Sequence, residues 1–427
     1  MTENDNQKKP TIFYGWWLVA ICLLMQSIGV GASLYLYSVV AGALEQAFPS
    51  GRFLLMMGAT GLLLTMALMS PKVGTLLDRF PVRRVVIAGA LIMGLGFILI
   101  ALSTNIWQVI FCYALFIGAG MATLSPLTAS TLLSRWFLRH RGSALGIAAL
   151  GTQFGGLIYP PIIAHFIEVA DWRLAIGGLG VFIILVMPAL AYFTIIDRPE
   201  DRGVHPDGDK EPLTTGSGDA PERPKVTLAS LFTQRTFILL VIAIGGASAV
   251  NTAAIANLSL FATDLGASAE RGAYLVSLLS MLGMISSPLA GRFCDVWNIR
   301  LVASAMLLLS AVAALVFIGA ASYPMLLLAA LLQGITGGSL VPVWASLVGR
   351  IYGTLIYGQV MGATTMVVFG MTALAPPFAG WVHDLTGSYR LLFLVMFAVM
   401  AIAIASLLML RIPATSDDRL KASAVNA

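Results

Sequence analysis

What most constrains this chain is a succession of twelve apolar stretches, each long enough to cross a lipid bilayer. They run roughly over 13–40, 53–73, 84–103, 107–133, 142–166, 173–196, 236–262, 272–293, 300–321, 323–348, 357–382 and 389–411. A spanning helix needs about 20 mostly apolar residues, and in hydrocarbon it must satisfy every backbone N–H and C=O within itself. The stretches therefore predict an all-α integral membrane protein of twelve transmembrane helices. Composition agrees: of 427 residues 58% are hydrophobic and 11% charged, against about 25% charged in a soluble domain.

Charge placement predicts the orientation. With the N-terminus inside, only Arg52, Arg173, Arg271 and Arg390 among the 25 Lys and Arg fall in outer loops. Positive charge collects on the cytoplasmic side of membrane proteins, so both termini are expected in the cytoplasm and the bilayer is the inner membrane. The net charge of +5 is then a matter of topology, not of nucleic acid. No cleavable signal is expected, because no charge follows Lys8 and Lys9 until Glu45, longer than a signal's apolar region. Cys22, Cys112 and Cys294 are scattered through apolar runs and read as small core residues.

Between 197 and 235 the chain turns abruptly to Pro, Gly and charge, a composition expected of a flexible cytoplasmic linker. It divides the chain into a six-helix bundle at 1–196 and another at 236–427. The halves repeat weakly. Gly74 and Asp78 recur as Gly291 and Asp295, Pro126 as Pro342, Pro160 and Pro161 as Pro376 and Pro377, and Gly142 and Gly146 as Gly358 and Gly362. Two parallel six-helix repeats that face each other across a midplane site form a transporter plan.

The third, sixth, ninth and twelfth stretches are nearly bare of polar side chains and are expected to face lipid. Polar residues on the other eight mark the expected substrate-binding cavity: Gln26, Tyr37, Gln153, Asn251, Ser287 and Thr364. Any single Ser or Thr on a helix commonly bonds its own preceding carbonyl, so the pattern matters more than any member. The small-residue ridges Gly142–Gly146 and Gly151–Gly155 are expected to let helices approach closely across the seam between halves.

One turn carries the most specific motif. Gly74-Thr-Leu-Leu-Asp78-Arg79-Phe-Pro-Val-Arg83-Arg84 lies between the second and third stretches, with a worn copy at Gly291-Arg-Phe-Cys-Asp295. It resembles the loop 2–3 signature of the major facilitator superfamily, and helix count, linker and repeat extend that resemblance over the whole chain. Tyr14-Gly-Trp-Trp17, the segment Arg135 to Gly146 and Ala262-Thr-Asp-Leu-Gly266 look like the monocarboxylate-transporter and oxalate:formate-antiporter branch. The resemblance implies a cytoplasmic latch of Asp78, Arg79 and Arg84, joined by Arg139 or Arg141, with Asp295 in the second copy.

The cargo residues of that branch are not matched. Where monocarboxylate transporters resembling this chain carry an Asp and, four residues later, an Arg in helix 8, Gly283 and Ser287 stand. The Lys expected of an oxalate:formate exchanger in helix 11 is absent too, with Thr364 and Thr365 in its region. No Asp, Glu, Lys, Arg or His falls mid-span, although such a residue is the usual functional pointer.

The expected function is secondary active or facilitative transport, by alternating access, of a small organic solute of monocarboxylate type. The alternative is a neutral polar or amphipathic solute or, remotely, a membrane sensor that does not transport. An enzyme is not expected: the four His are dispersed and there is no His-x-x-x-His pair. No metal and no cofactor is expected. The Gly-x-x-x-x-Gly-Lys-Ser/Thr loop of ATP-driven proteins is also absent. A small-molecule substrate and the lipid bilayer are the expected partners, and the chain is expected to act as a monomer.

Overall fold

The apolar stretches become helices because only a helix pairs their backbone groups locally, and short polar caps start several of them. The structure is a computed structural model, and it describes residues 13–137, 140–208, 231–353 and 356–412. Twelve helices long and apolar enough to span a membrane follow in order: α1 Gly15–Ala47, α2 Arg52–Arg79, α3 Val82–Ala101, α4 Ile106–Trp136, α5 Gly142–Val169 and α6 Trp172–Thr194 in the first half. The second half holds α7 Arg235–Asp264, α8 Ala269–Val296, α9 Ile299–Gly319, α10 Tyr323–Tyr352, α11 Gln359–Thr386 and α12 Arg390–Met409. The side chains of Asn105, Asp171, Ser268 and Asn298 accept N–H bonds at the starts of α4, α6, α8 and α9, which satisfies donors that a helix start leaves unpaired.

Each half builds its own core of buried side chains, and the two interlock at the seam. Tyr35 of α1 joins the core of the second half, while Ala256 and Leu260 of α7 join that of the first. The faces of α3, α6, α9 and α12 that carry Leu95, Leu185, Leu308 and Ile402 are exposed, as expected of helices against lipid.

The repeat is visible in matching tethers. Arg83 donates to the carbonyl of Tyr192 at 3.4 Å, and Arg300 to that of Leu410 at 2.6 Å. Arg135 donates to the carbonyl of Leu77 at 3.2 Å, and Arg350 to that of Cys294 at 2.7 Å.

Two features depart from the sequence expectations. First, α1 is not α-helical throughout: Ser27–Tyr35 is a π-helix, and Tyr113–Ile117 in α4 is another. The wider i→i+5 turn shifts the register of everything after it, and such segments recur at functional sites. Second, the linker does not start free. Asp197 accepts from the N–H of Val82 at 2.8 Å and pairs with Arg135 at 3.3 Å. Arg202 lies 3.7 Å over the ring of Tyr14, so the first residues of this polar segment dock on the first half. The remainder of the linker, 209–230, lies outside the described residues.

Candidate functional site: a seam closed at its outer end

At the end where α1 leads into α2 and α7 into α8, called outer below after the expected orientation and the opposite end inner, the two halves are joined by a charged network that no helix could build alone. Arg52, at the first turn of α2, directs its guanidinium to both carboxylate oxygens of Asp264 at the end of α7, each at 2.6 Å. It also holds Glu45 of α1 at 2.8 Å and the hydroxyl of Tyr389 at 3.0 Å. That hydroxyl donates onward to Asn257 of α7 at 3.3 Å. Burial raises the Tyr389 hydroxyl above its ordinary range, which keeps it a neutral relay within the network. His383 of α11 lies 3.2 Å from Asp264. The Arg52 side chain is only 6% exposed, so its fork works in a drier setting than a surface ion pair does.

Backbone contacts tighten the same joint. The carboxylate of Asp384 at the end of α11 accepts the N–H groups of Arg52 and Phe53, both at 2.8 Å. An acid from the second half thus caps a helix start in the first, where the helix dipole favours negative charge. Gly51, with φ +38°, makes the turn before α2, and a Cβ there would stand 2.8 Å from Asp384 Oδ2. One turn or two deeper, Thr60 of α2 donates to the carbonyl of Ala373 in α11 at 2.8 Å.

Midway down, α1 and α5 meet α8. The hydroxyl of Tyr35 donates to Gln153 Oε1 at 2.8 Å, and Ser277 of α8 donates to the carbonyl of Leu157 at 2.9 Å. Gly156 lies against Ser280 and the ring of Tyr35. A Cβ added at Gly74, Gly142, Gly146 or Gly362 would meet nothing within 4 Å.

The expected site residues are not brought to one place. Gln153 reaches the seam, and Ser287 is half-buried on α8 one turn inward from Gly283. Tyr37 is turned into the first half, where its hydroxyl donates to the carbonyl of Leu55 and its ring meets Tyr113 edge-on at 4.8 Å. The π-helix before it is the reason: an α-helical count aligned Gln26, Ser33 and Tyr37, but the register shift sends Tyr35 to the seam instead. Gln26 joins α1 to α5 through a 2.9 Å bond to the carbonyl of Ala148. Thr364 bonds the carbonyl of Met361 in its own helix. Asn251 accepts from Gln333 of α10 at 3.2 Å beside a void of about 10 Å³ that Ser310 and Thr336 also line, the room of about one water. The ridge Gly151–Gly155 packs against α1 within its own half.

On the inner side Asp78, Arg79, Arg84 and Asp295 are all exposed, and none makes an ion pair among the described residues. Arg139 lies outside the described residues, and Arg141 immediately precedes α5. The carboxylate that is paired at this turn is Asp197, which reading for motifs passed over because it opened a linker. Arg52, Asp264, His383, Asp384 and Tyr389 were passed over too. In the sequence Arg52 is one of four outer-loop cations, Tyr389 opens the last apolar stretch and Asp264 sits inside the motif Ala262 to Gly266. The described residues hold no group of three or more His, Cys, Asp or Glu able to bind a metal.

Comparison with known proteins bears on this architecture directly. The profile of the Major Facilitator Superfamily matches residues 19–300 and again 245–426. Human monocarboxylate transporter 2 is 25% identical over 357 residues, 78% of this chain and 72% of its own. Human monocarboxylate transporter 11 is 27% identical over 348 residues, 76% of this chain and 68% of its own. An MFS-type transporter of Aspergillus fumigatus is 24% identical over 350 residues, 80% and 78% of the two chains. Among solved structures, a bacterial homolog of the human lysosomal transporter Spinster, inward-facing and occupied, superposes with a TM-score of 0.69 at 14% identity. It covers 93% of this chain and 94% of its own.

Proposed function

This chain belongs to the major facilitator superfamily, and on that premise we propose that it carries a small organic solute of monocarboxylate type by alternating access. It is an integral, multi-pass membrane protein and a transporter of that superfamily, with monocarboxylate transporters among its relatives, not an enzyme. Two observations support this reading: Arg52 and its partners join the halves at the outer end, while a Cβ added at Gly142, Gly146 or Gly362, toward the inner end, would meet nothing within 4 Å. That asymmetry is what one end-state of a rocking carrier requires. In the opposite state the Arg52 network parts and the inner ends meet, with Asp78 and its neighbouring arginines taking up a latch for which they are unengaged here.

In this reading 1–196 and 236–427 are the two rocking bodies, 197–235 tethers them, both termini face the cytoplasm, the membrane is the inner one and a single chain suffices. Solute sits at mid-membrane near Gln153 and Ser287. Relatives named as monocarboxylate transporters favour an acid. The lack of any mid-span charge favours the second reading, a neutral polar solute, since a bare carboxylate is costly to desolvate.

Uptake into proteoliposomes decides between them. We expect the purified chain to accumulate or exchange radiolabelled acetate, propionate or pyruvate, with counterflow from preloaded vesicles. Uptake of neutral polar metabolites with none of the acids carried would replace the first reading by the second.

A further inference from the structure

Outside the network and the latch, the amide of Gln153 is a polar group that both halves hold in place. Gly283 stands at the middle of the 28-residue α8, and Gln153 lies near the middle of α5, so the pair sits near the bilayer midplane. A Cβ added at Gly283 would stand 3.0 Å from Cδ, 3.0 Å from Oε1 and 3.1 Å from Nε2 of Gln153. Near-equal distances to all three atoms mean that the amide lies face-on over the glycine. Its oxygen is taken by the Tyr35 hydroxyl at 2.8 Å. Its nitrogen, a donor of two N–H groups, has no partner among the described residues. The side chain is half-buried.

From this geometry we infer that Gln153 is the residue that recognises the solute, with Nε2 donating to a carboxylate oxygen. This rests on the transport reading above and adds the chemical group that is read. Each neighbour has one task. Tyr35 occupies Oε1 and so fixes which end of the amide faces the cavity, and Gly283 supplies the bare backbone on which the amide lies. Ser287, four residues on and therefore on the same face of α8, has a hydroxyl without a hydrogen-bond partner among the described residues and donates to the second oxygen. The site binds an anion through neutral donors alone. Such recognition is weaker than an Arg fork and involves no buried ion pair that must break before release.

The test is uptake of radiolabelled propionate into proteoliposomes, with propanol as the unlabelled competitor that lacks the carboxylate. Gln153→Ala should raise KM for propionate about tenfold and leave kcat within twofold, the loss of about one hydrogen bond. Gly283→Ala should reproduce that rise, because its methyl group displaces the amide while leaving Gln153 in the sequence. Gln153→Glu keeps size and shape but replaces the donor by an acceptor, and should abolish propionate uptake. Tyr35→Phe should raise KM about threefold. Propanol should compete poorly with the wild type, and normal expression and monodispersity of the variants would confirm folding. Wild-type uptake with KM unchanged in both Gln153→Ala and Gly283→Ala overturns the assignment alone. If the wild type carries none of acetate, propionate and pyruvate, the transport reading falls and this one with it.

Discussion

The two ends of the molecule treat charge in opposite ways. At the outer end the ionisable side chains at the seam find partners in the other half: Arg52 with Asp264, Asp384 with the start of α2. His383 adds a second contact to Asp264. At the inner end the carboxylates of Asp78 and Asp295 stand exposed, without an ion pair among the described residues. Two tethers described there, Asp197 to Arg135 and Arg350 to the carbonyl of Cys294, each lie within one half. Bonds between the halves thus hold one end closed, while bonds within each half keep the other end in shape when it opens. A carrier needs both kinds, since a half that lost its form on opening could not close again.

This contrast can be broken at graded cost. Arg52→Ala should have the largest effect. It leaves Asp264 and Glu45, each about a third exposed, without this cation, so the loss stays below the about 3–5 kcal/mol of truncating a fully buried pair. We expect the outer-open population to rise on the order of a hundredfold, read as alkylation of a cysteine placed at Leu55 or Ala256. Asp264→Asn keeps Glu45 and Tyr389 on the guanidinium but removes the ion pair between the halves, so a rise of about tenfold is expected by the same readout. Asp384→Asn keeps an acceptor for the α2 N–H groups but loses charge at a helix start, an effect of about 0.3–1 kcal/mol or about two- to fivefold. Asp78→Asn should lower the outer-open population by about two- to fivefold, because the carboxylate loses nothing in this state and loses its latch partners only in the opposite one. It should slow turnover more than it alters KM, through the state in which the latch is engaged.

Much of the architecture was legible in the amino-acid sequence. The number of spans follows from hydropathy alone, and the Gly74 to Arg84 turn identified the superfamily. Helix ends were less legible: α1 runs to Ala47 where its apolar stretch ends near 40, and α2 runs to Arg79 where its stretch ends near 73. In both cases the helix continues through a segment that includes charge, Glu45 in α1 and Asp78 and Arg79 in α2, which ends the apolar run but not the helix. The site was less legible still. Tyr37 lost its place to Tyr35 because a π-helix cannot be read from residue spacing, and Thr364 and Thr365 turned out to bond their own helix. Arg52 was visible only as one of four outer cations. Its meaning depends on Asp264, more than two hundred residues away, and pairing over that distance is a property of the fold. Gly283 is the instructive case. In the chain it registers as a missing acid, whereas in the fold it is the seat of the Gln153 amide.

Alternating access stands or falls on whether the two ends move in opposition. Spin labels at Val169→Cys and Leu385→Cys report the outer end, and labels at Thr75→Cys and Arg292→Cys the inner end. The native Cys22, Cys112 and Cys294 are buried and react slowly. Double electron–electron resonance in lipid nanodiscs should give a short outer and a long inner distance in the otherwise unmodified chain. Adding Arg52→Ala should lengthen the outer distance and shorten the inner one together. An outer end that parts while the inner distance stays fixed would contradict the opposed motion of the two ends.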